Sequence, residues 1–158
     1  MSASVTTRLT VHGKRIVAES MYAKGKAFLG AAVLLRRNGG YEYVVLHLLC
    51  QGIEIVLKGL LLAIDYDNFE PRLKQFGHNL LSVTDAATSA AELLPLRPNI
   101  RAEMETLNQL YSRHLLRYGS GYDVLVNPST ISSRLVLRRM VALLHLIERK
   151  GFIHGAVI

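Results

Sequence analysis

Residues Tyr43 to Ile64 read YVVLHLLCQGIEIVLKGLLLAI, and the way this stretch distributes its few polar residues decides the fold. At about 100° per residue, His47, Gln51, Glu54 and Lys58, with Asp65 just beyond, fall within roughly 60° of one another on a helix. Leu, Val and Ile cover the rest of the circumference. A helix that is apolar nearly all round has neighbours on most sides, so this one reads as the central strut of a helical bundle. The run is also long enough to raise the question of a membrane span. Glu54 and Lys58 near its middle would be expensive in lipid, and no membrane association is expected.

Working outward, Arg15 to Arg37 shows Val17, Met21, Phe28, Ala32 and Leu35 at helical spacing. Its small residues, Ala23, Ala27, Gly30, Ala31 and Ala32, suggest close approach of a partner helix, and Asn38-Gly39-Gly40 stops it. Residues 1–14 read as a flexible arm. After a connector containing Pro71, a third helix runs from Gly77-His78-Asn79 to Leu94, with Leu80, Leu81, Val83, Ala87 and Leu94 as its apolar set. Pro95 and Pro98 separate it from a fourth, Asn99 to Tyr118, with Ile100, Met104, Leu107, Tyr111, Leu115 and Tyr118 as its seam. Tyr122 to Val126 alternates as an extended segment would. Asn127-Pro128 then reads as N-cap and first position of a fifth helix ending near Lys150. The expectation is an all-α, five-helix up-and-down bundle, with residues 1–158 forming one domain.

Composition narrows the setting. The chain has 158 residues, half of them apolar, with no Trp and four Pro, which suits a packed core rather than disorder. The lone Cys50 allows no intrachain disulfide, and its place in the central helix makes it an inert thiol. No secretory signal is visible in MSASVTTRLTVHGKR, and a reducing, cytoplasmic location is expected. The net charge of +7 is uneven. Residues 1–79 carry ten basic and six acidic side chains, residues 80–112 two and four, and the remainder seven and two. A basic C-terminal third suits an anionic partner such as RNA or nucleotide, or is simply a solvated face.

Two segments together carry a family resemblance. His47, Gln51, Glu54 and Lys58 in HLLCQGIEIVLKGLLLAI, followed by Gly77-His78-Asn79-Leu80, resemble the HEPN superfamily (higher eukaryotes and prokaryotes nucleotide-binding). Its members often show H-x-x-x-Q-x-x-E-x-x-L-K-A-L-L and then a G-H-[DN]-L helix start. The likeness covers roughly residues 15–95, and Tyr111 to Tyr118, YSRHLLRY, is similar in flavour to the fourth helix of such proteins. The resemblance implies an all-α homodimer. It implies either a metal-independent ribonuclease of a toxin, defence or stress system, or a module that binds RNA or nucleotide without cleaving it. Active families carry Arg-x(4–6)-His on a late helix. His can exchange protons near neutral pH, and Arg supplies a fixed cation for the developing phosphorane charge.

Three pairs satisfy that spacing: Arg138 and Arg139 before His145, and Arg149 before His154. None has a small polar residue directly after the Arg. Arg134, Arg138, His145 and Arg149 share one helical face, opposite Val136, Met140, Leu143 and Ile147. The first four form a basic stripe or a dimer face, and Arg138 with His145 is the candidate catalytic pair, acting across a dimer. Arg139 points away from the stripe and reads as a partly buried salt-bridge partner.

The polar line of the central helix has two readings of its own. His47, Glu54, Lys58 and His78 either bind an anion or move a proton, or they form a satisfied network that fixes helix packing. His78 itself reads as a helix start capped by a neighbour, and Arg113, His114, Arg117 and Tyr118 as a surface able to contact nucleic acid. The line is a poor metal site, having one His and one Glu seven residues apart, and no phosphate loop or other cofactor motif is present. The alternative from another class is a non-catalytic, antitoxin-like or accessory interaction subunit with an unidentified protein partner.

Overall fold

The structure, a computed structural model, describes residues 8–118 and 125–153. Among them all regular secondary structure is helical. Helix α1 (Val11–Arg37) and helix α2 (Glu42–Ile64) are followed by two single turns, α3 (Tyr66–Phe69) and α4 (Leu73–Phe76), with a 3-10 turn between them at Glu70–Arg72. Then come α5 (Leu80–Ala90), α6 (Pro98–Ser112), a second 3-10 turn (Pro128–Thr130) and α7 (Arg134–Lys150).

Helix α2 is the centre. Fifteen of its residues are buried, Glu54 and Lys58 among them, and it touches α1, α5, α6 and α7. It is long and apolar enough to cross a membrane, but 72% of that apolar window is buried inside the protein. Its most extensive partner is α1, which packs antiparallel to it. The two backbones come together at glycines. A Cβ on Gly25 would lie 2.5 Å from the Val56 nitrogen, and one on Gly52 would lie 2.9 Å from that of Leu29.

This close approach corrects the reading of α1. The buried stripe is Ala18, Tyr22, Gly25, Leu29 and Ala32, whereas Val17 is exposed and Met21, Phe28 and Leu35 are only half-buried. Of the small residues expected at the contact only Ala32 is there. Ala23, Ala27, Gly30 and Ala31 face outward. The reason is steric: where backbones meet within a Cβ of each other, glycine sets the register and larger side chains lie to the flanks. Helix α1 also begins earlier than expected, because the Thr10 hydroxyl accepts from the Gly13 N–H at 3.1 Å and caps it. The assumed arm thus ends before Val11, and residues 1–7 lie outside those described.

Other boundaries shift for equally local reasons. Helix α5 stops at Ala90, and Glu92 takes a positive φ of 53°, so Leu94 is 81% exposed rather than part of the core. Helix α6 stops at Ser112 rather than Tyr118, because His114 adopts a left-handed φ of 59°. Asn127 and Pro128 open only a 3-10 turn. The start of α7 is satisfied instead by Glu103 of α6, whose carboxylate accepts from the Val136 N–H at 2.8 Å and the Ser132 hydroxyl at 2.7 Å. Val136, Met140, Leu143 and Ile147 are the buried face of α7, as their spacing indicates. Of the supposed extended segment, 122–124 lie outside the described residues, and Leu125 and Val126 form no strand.

Candidate functional site

The polar line of α2 runs into the loop before α5. Gly77 has φ 51° and ψ −127°, a conformation that L side chains avoid. This turns its carbonyl toward α2, where Lys58 Nζ donates to it at 2.8 Å. Asn79 then caps α5, its side chain accepting from the Ser82 N–H at 3.0 Å, which fixes His78 immediately before the helix. The Leu80 N–H is taken by Asn108 of α6 at 2.7 Å, tying the same turn to a third helix.

Glu54 is the hub. Its Oε1 accepts from Lys58 Nζ at 2.6 Å, while its Oε2 lies 3.0 Å from His78 Nδ1 and accepts from the Tyr111 hydroxyl at 2.6 Å. One carboxylate thereby joins α2, the start of α5 and the end of α6. Burial pushes the Glu54 carboxyl up, but the hydrogen bonds from Lys58, Tyr111 and His78 and the Lys58 charge outweigh it and hold the group below its ordinary range. The Tyr111 hydroxyl is driven strongly upward by burial and by Glu54, so it stays a proton donor. Burial and the Glu54 charge likewise keep Cys50 a thiol.

Three imidazoles gather on this hub. The His47 and His78 rings lie 5.9 and 5.5 Å from that of Tyr111, and His114 lies edge-on to His78 at 5.2 Å. His47 Nδ1 is buried and is, among the described residues, the buried side-chain polar atom left without a hydrogen-bond partner. Its pKa is lowered, first by burial and then by the positive charge of Arg117, His78 and His114. With Nδ1 of His78 directed at Glu54, the opposite nitrogen Nε2 faces away from the carboxylate. The His78 side chain is 40% exposed, and His114 and Arg117 are exposed.

The structure thus brings His47, Glu54, Lys58 and His78 together. Tyr111, His114 and Arg117 complete the group. Tyr111 and His114 had a legible signal, a three-residue spacing that puts them on one helical face. Arg117 is legible too, three residues beyond His114 and part of the surface read as able to contact nucleic acid, although on a continued helix it would point roughly 120° away from Tyr111. In the structure its charge reaches His47 from beyond the left-handed turn at His114.

Arg134, Arg138, His145 and Arg149 are all exposed along α7, and no ion pair among the described residues links them to the Glu54 group. Arg139 is half-buried and donates to the Leu94 carbonyl at 3.0 Å, which makes its partner a carbonyl rather than the expected carboxylate. His154 lies outside the described residues. Among the described residues no three His, Cys, Asp or Glu side chains gather in a way that could hold a metal ion. Comparison with protein-family models, curated proteins and solved structures returns no match.

Proposed function

We propose that this chain is a HEPN-like helical bundle that binds the phosphate groups of RNA or a nucleotide where His47, His78, His114 and Arg117 converge. What supports the family reading is the contact between the two motif halves. Glu54 and Lys58 of the first meet His78 and the Gly77 carbonyl of the second. The observation that carries the functional reading is the charge balance of the group. Lys58 takes one oxygen of Glu54 and His78 the other, and no ion pair among the described residues involves His47, His114 or Arg117. An anion entering there would accept hydrogen bonds from Arg117 and the rings, and would favour their protonation.

The same geometry favours one catalytic form of this reading, a metal-independent endoribonuclease. An imidazole held by a carboxylate, as His78 is by Glu54, can accept the proton of an attacking 2′-hydroxyl. His114 beside it can deliver a proton to the leaving oxygen, and Arg117 can offset the phosphorane charge. In this form the chemistry is beside α2, and Arg138 with His145 would contribute only electrostatic attraction.

The experiment pairs binding with cleavage. Fluorescein-labelled single-stranded RNA would be titrated by anisotropy across a salt series, with Arg117→Gln, His114→Gln and Arg138→Ala compared. A mixed RNA pool would be incubated with each protein in EDTA. The expected result is binding that weakens steeply with salt and falls about tenfold in Arg117→Gln, with Arg138→Ala retaining most of it. Cleavage lost in His114→Gln but kept in Arg138→Ala supports the nuclease form. Binding that Arg138→Ala abolishes and Arg117→Gln spares would move the site to α7.

A further inference from the structure

A second feature lies apart from the imidazole group, on the other flank of α2. Leu29, Gly30, Val33 and Leu34 of α1 face Leu137, Val141 and Leu144 of α7 across an open groove of about 550 Å³, with Lys26 and Arg37 at its ends. Its floor is aliphatic, yet Leu34 is 64% and Val141 45% exposed. From Lys26 to Arg37, α1 rises roughly 16 Å, about three helical turns. We propose that this groove docks an amphipathic helix with acidic flanks, supplied by a partner protein.

The argument rests on charge as well as shape. Around α7 the buried face (Val136, Met140, Leu143, Ile147) is followed by the groove face (Leu137, Val141, Leu144) and then by Arg134, Arg138, His145 and Arg149. A basic stripe therefore borders one wall of the groove along its length, and Arg37 closes one end. No ion pair among the described residues involves Arg37, Arg134, Arg138 or Arg149. Lys26 at the other end is already held by Glu148, as is the Tyr22 hydroxyl, so α1 and α7 are braced and the groove is preformed.

A helix entering the groove would set apolar side chains at i, i+3 or i+4, and i+7 on the floor. Asp or Glu on its flanks would meet the stripe and Arg37. Nucleic acid fits less well, because the floor offers no aromatic ring for stacking and no hydrogen-bond donor. A second copy fits less well too. The chain carries a net charge of +7, and two such grooves facing each other would oppose basic rims.

The test uses the full-length protein and a displayed library of 16-residue helical peptides, with Leu fixed at heptad core positions and all flanking positions randomised. Selection on the wild type is followed by counter-selection on Val141→Asp, a substitution at a surface position whose folding is checked by circular dichroism. The expected outcome is enrichment of Asp and Glu over Lys and Arg at the flanks by at least threefold. The best peptide should bind about tenfold more weakly to both Val141→Asp and Arg138→Glu. Peptides that show no acidic bias, or that bind Val141→Asp equally well, would overturn the proposal. So would a dimer in sedimentation that Val141→Asp splits, which would assign the groove to a second copy, and RNA binding that Val141→Asp weakens, which would assign it to nucleic acid.

Discussion

Replacing Lys58 by Met keeps the aliphatic stem in α2 and removes only the ammonium. The loss is large because of where that charge lies. The Lys58 and Glu54 side chains are 11% and 9% exposed, with Nζ 2.6 Å from Oε1, and the same Nζ holds the Gly77 carbonyl. Removing one partner of a buried pair strands the other charge at a cost of about 3–5 kcal/mol. Tyr111→Phe should cost less, about 1.5–3 kcal/mol for one hydrogen bond to a charged group, since the carboxylate keeps its cation. The double variant Glu54→Gln with Lys58→Met should be more stable than Lys58→Met alone, because no charge is left buried.

The pH dependence follows from the same pair. Glu54 is held below its ordinary 4.5 in the folded state, so its contribution is present above that value and is lost as pH falls through the folded one. The difference between wild type and Lys58→Met should therefore shrink toward pH 3. Urea denaturation followed by far-UV circular dichroism, at pH 7 and in steps to pH 3, measures both quantities. A Lys58→Met loss below about 1 kcal/mol, well short of what stranding a buried charge costs, would refute the reasoning, as would a loss that stays constant down to pH 3.

Two further substitutions test the packing. Gly25→Ala must push a Cβ into the Val56 backbone at 2.5 Å and should cost about 1–3 kcal/mol, whereas Gly30→Ala meets nothing within 4 Å and should gain about 0.4–1 kcal/mol. Thermal melts should move in opposite directions. Glu103→Ala removes the acceptor for the Val136 N–H and the Ser132 hydroxyl; a loss of about 1–3 kcal/mol, with faster amide exchange in the first turn of α7, is the expected outcome of hydrogen-exchange measurements.

Much of this molecule is readable from hydrophobic periodicity, and the exceptions share a cause. The circumference of α2 and the Val136–Ile147 face of α7 follow directly from spacing, since side chains of similar size compete there for burial. In α1 the same reasoning chose a face displaced from the buried one. Counting apolar residues gives no weight to Gly25, whose lack of a side chain is what α2 requires. Helix ends escape the pattern where the stop signal is a non-glycine residue in a left-handed turn, Glu92 and His114, or where the cap comes from another helix, as Glu103 does for α7. The site divides the same way. His47, Glu54 and Lys58 share a helical face and are visible in one dimension. Tyr111 reads as core until its hydroxyl is seen to reach Glu54, and Arg117 reads only as exposed surface until its charge is seen to reach His47.

The central claim is that His47, His114 and Arg117 make the imidazole group an electropositive site that takes a phosphate. Side-chain NMR titration of His47, assigned with His47→Gln, addresses it directly when run in the free protein, with inorganic phosphate and in Arg117→Gln. The free His47 should titrate below its ordinary 6.5, phosphate should move the midpoint upward, and Arg117→Gln should raise the free midpoint and blunt the response to phosphate. A free midpoint at or above 6.5, or one that phosphate leaves unmoved, would contradict it.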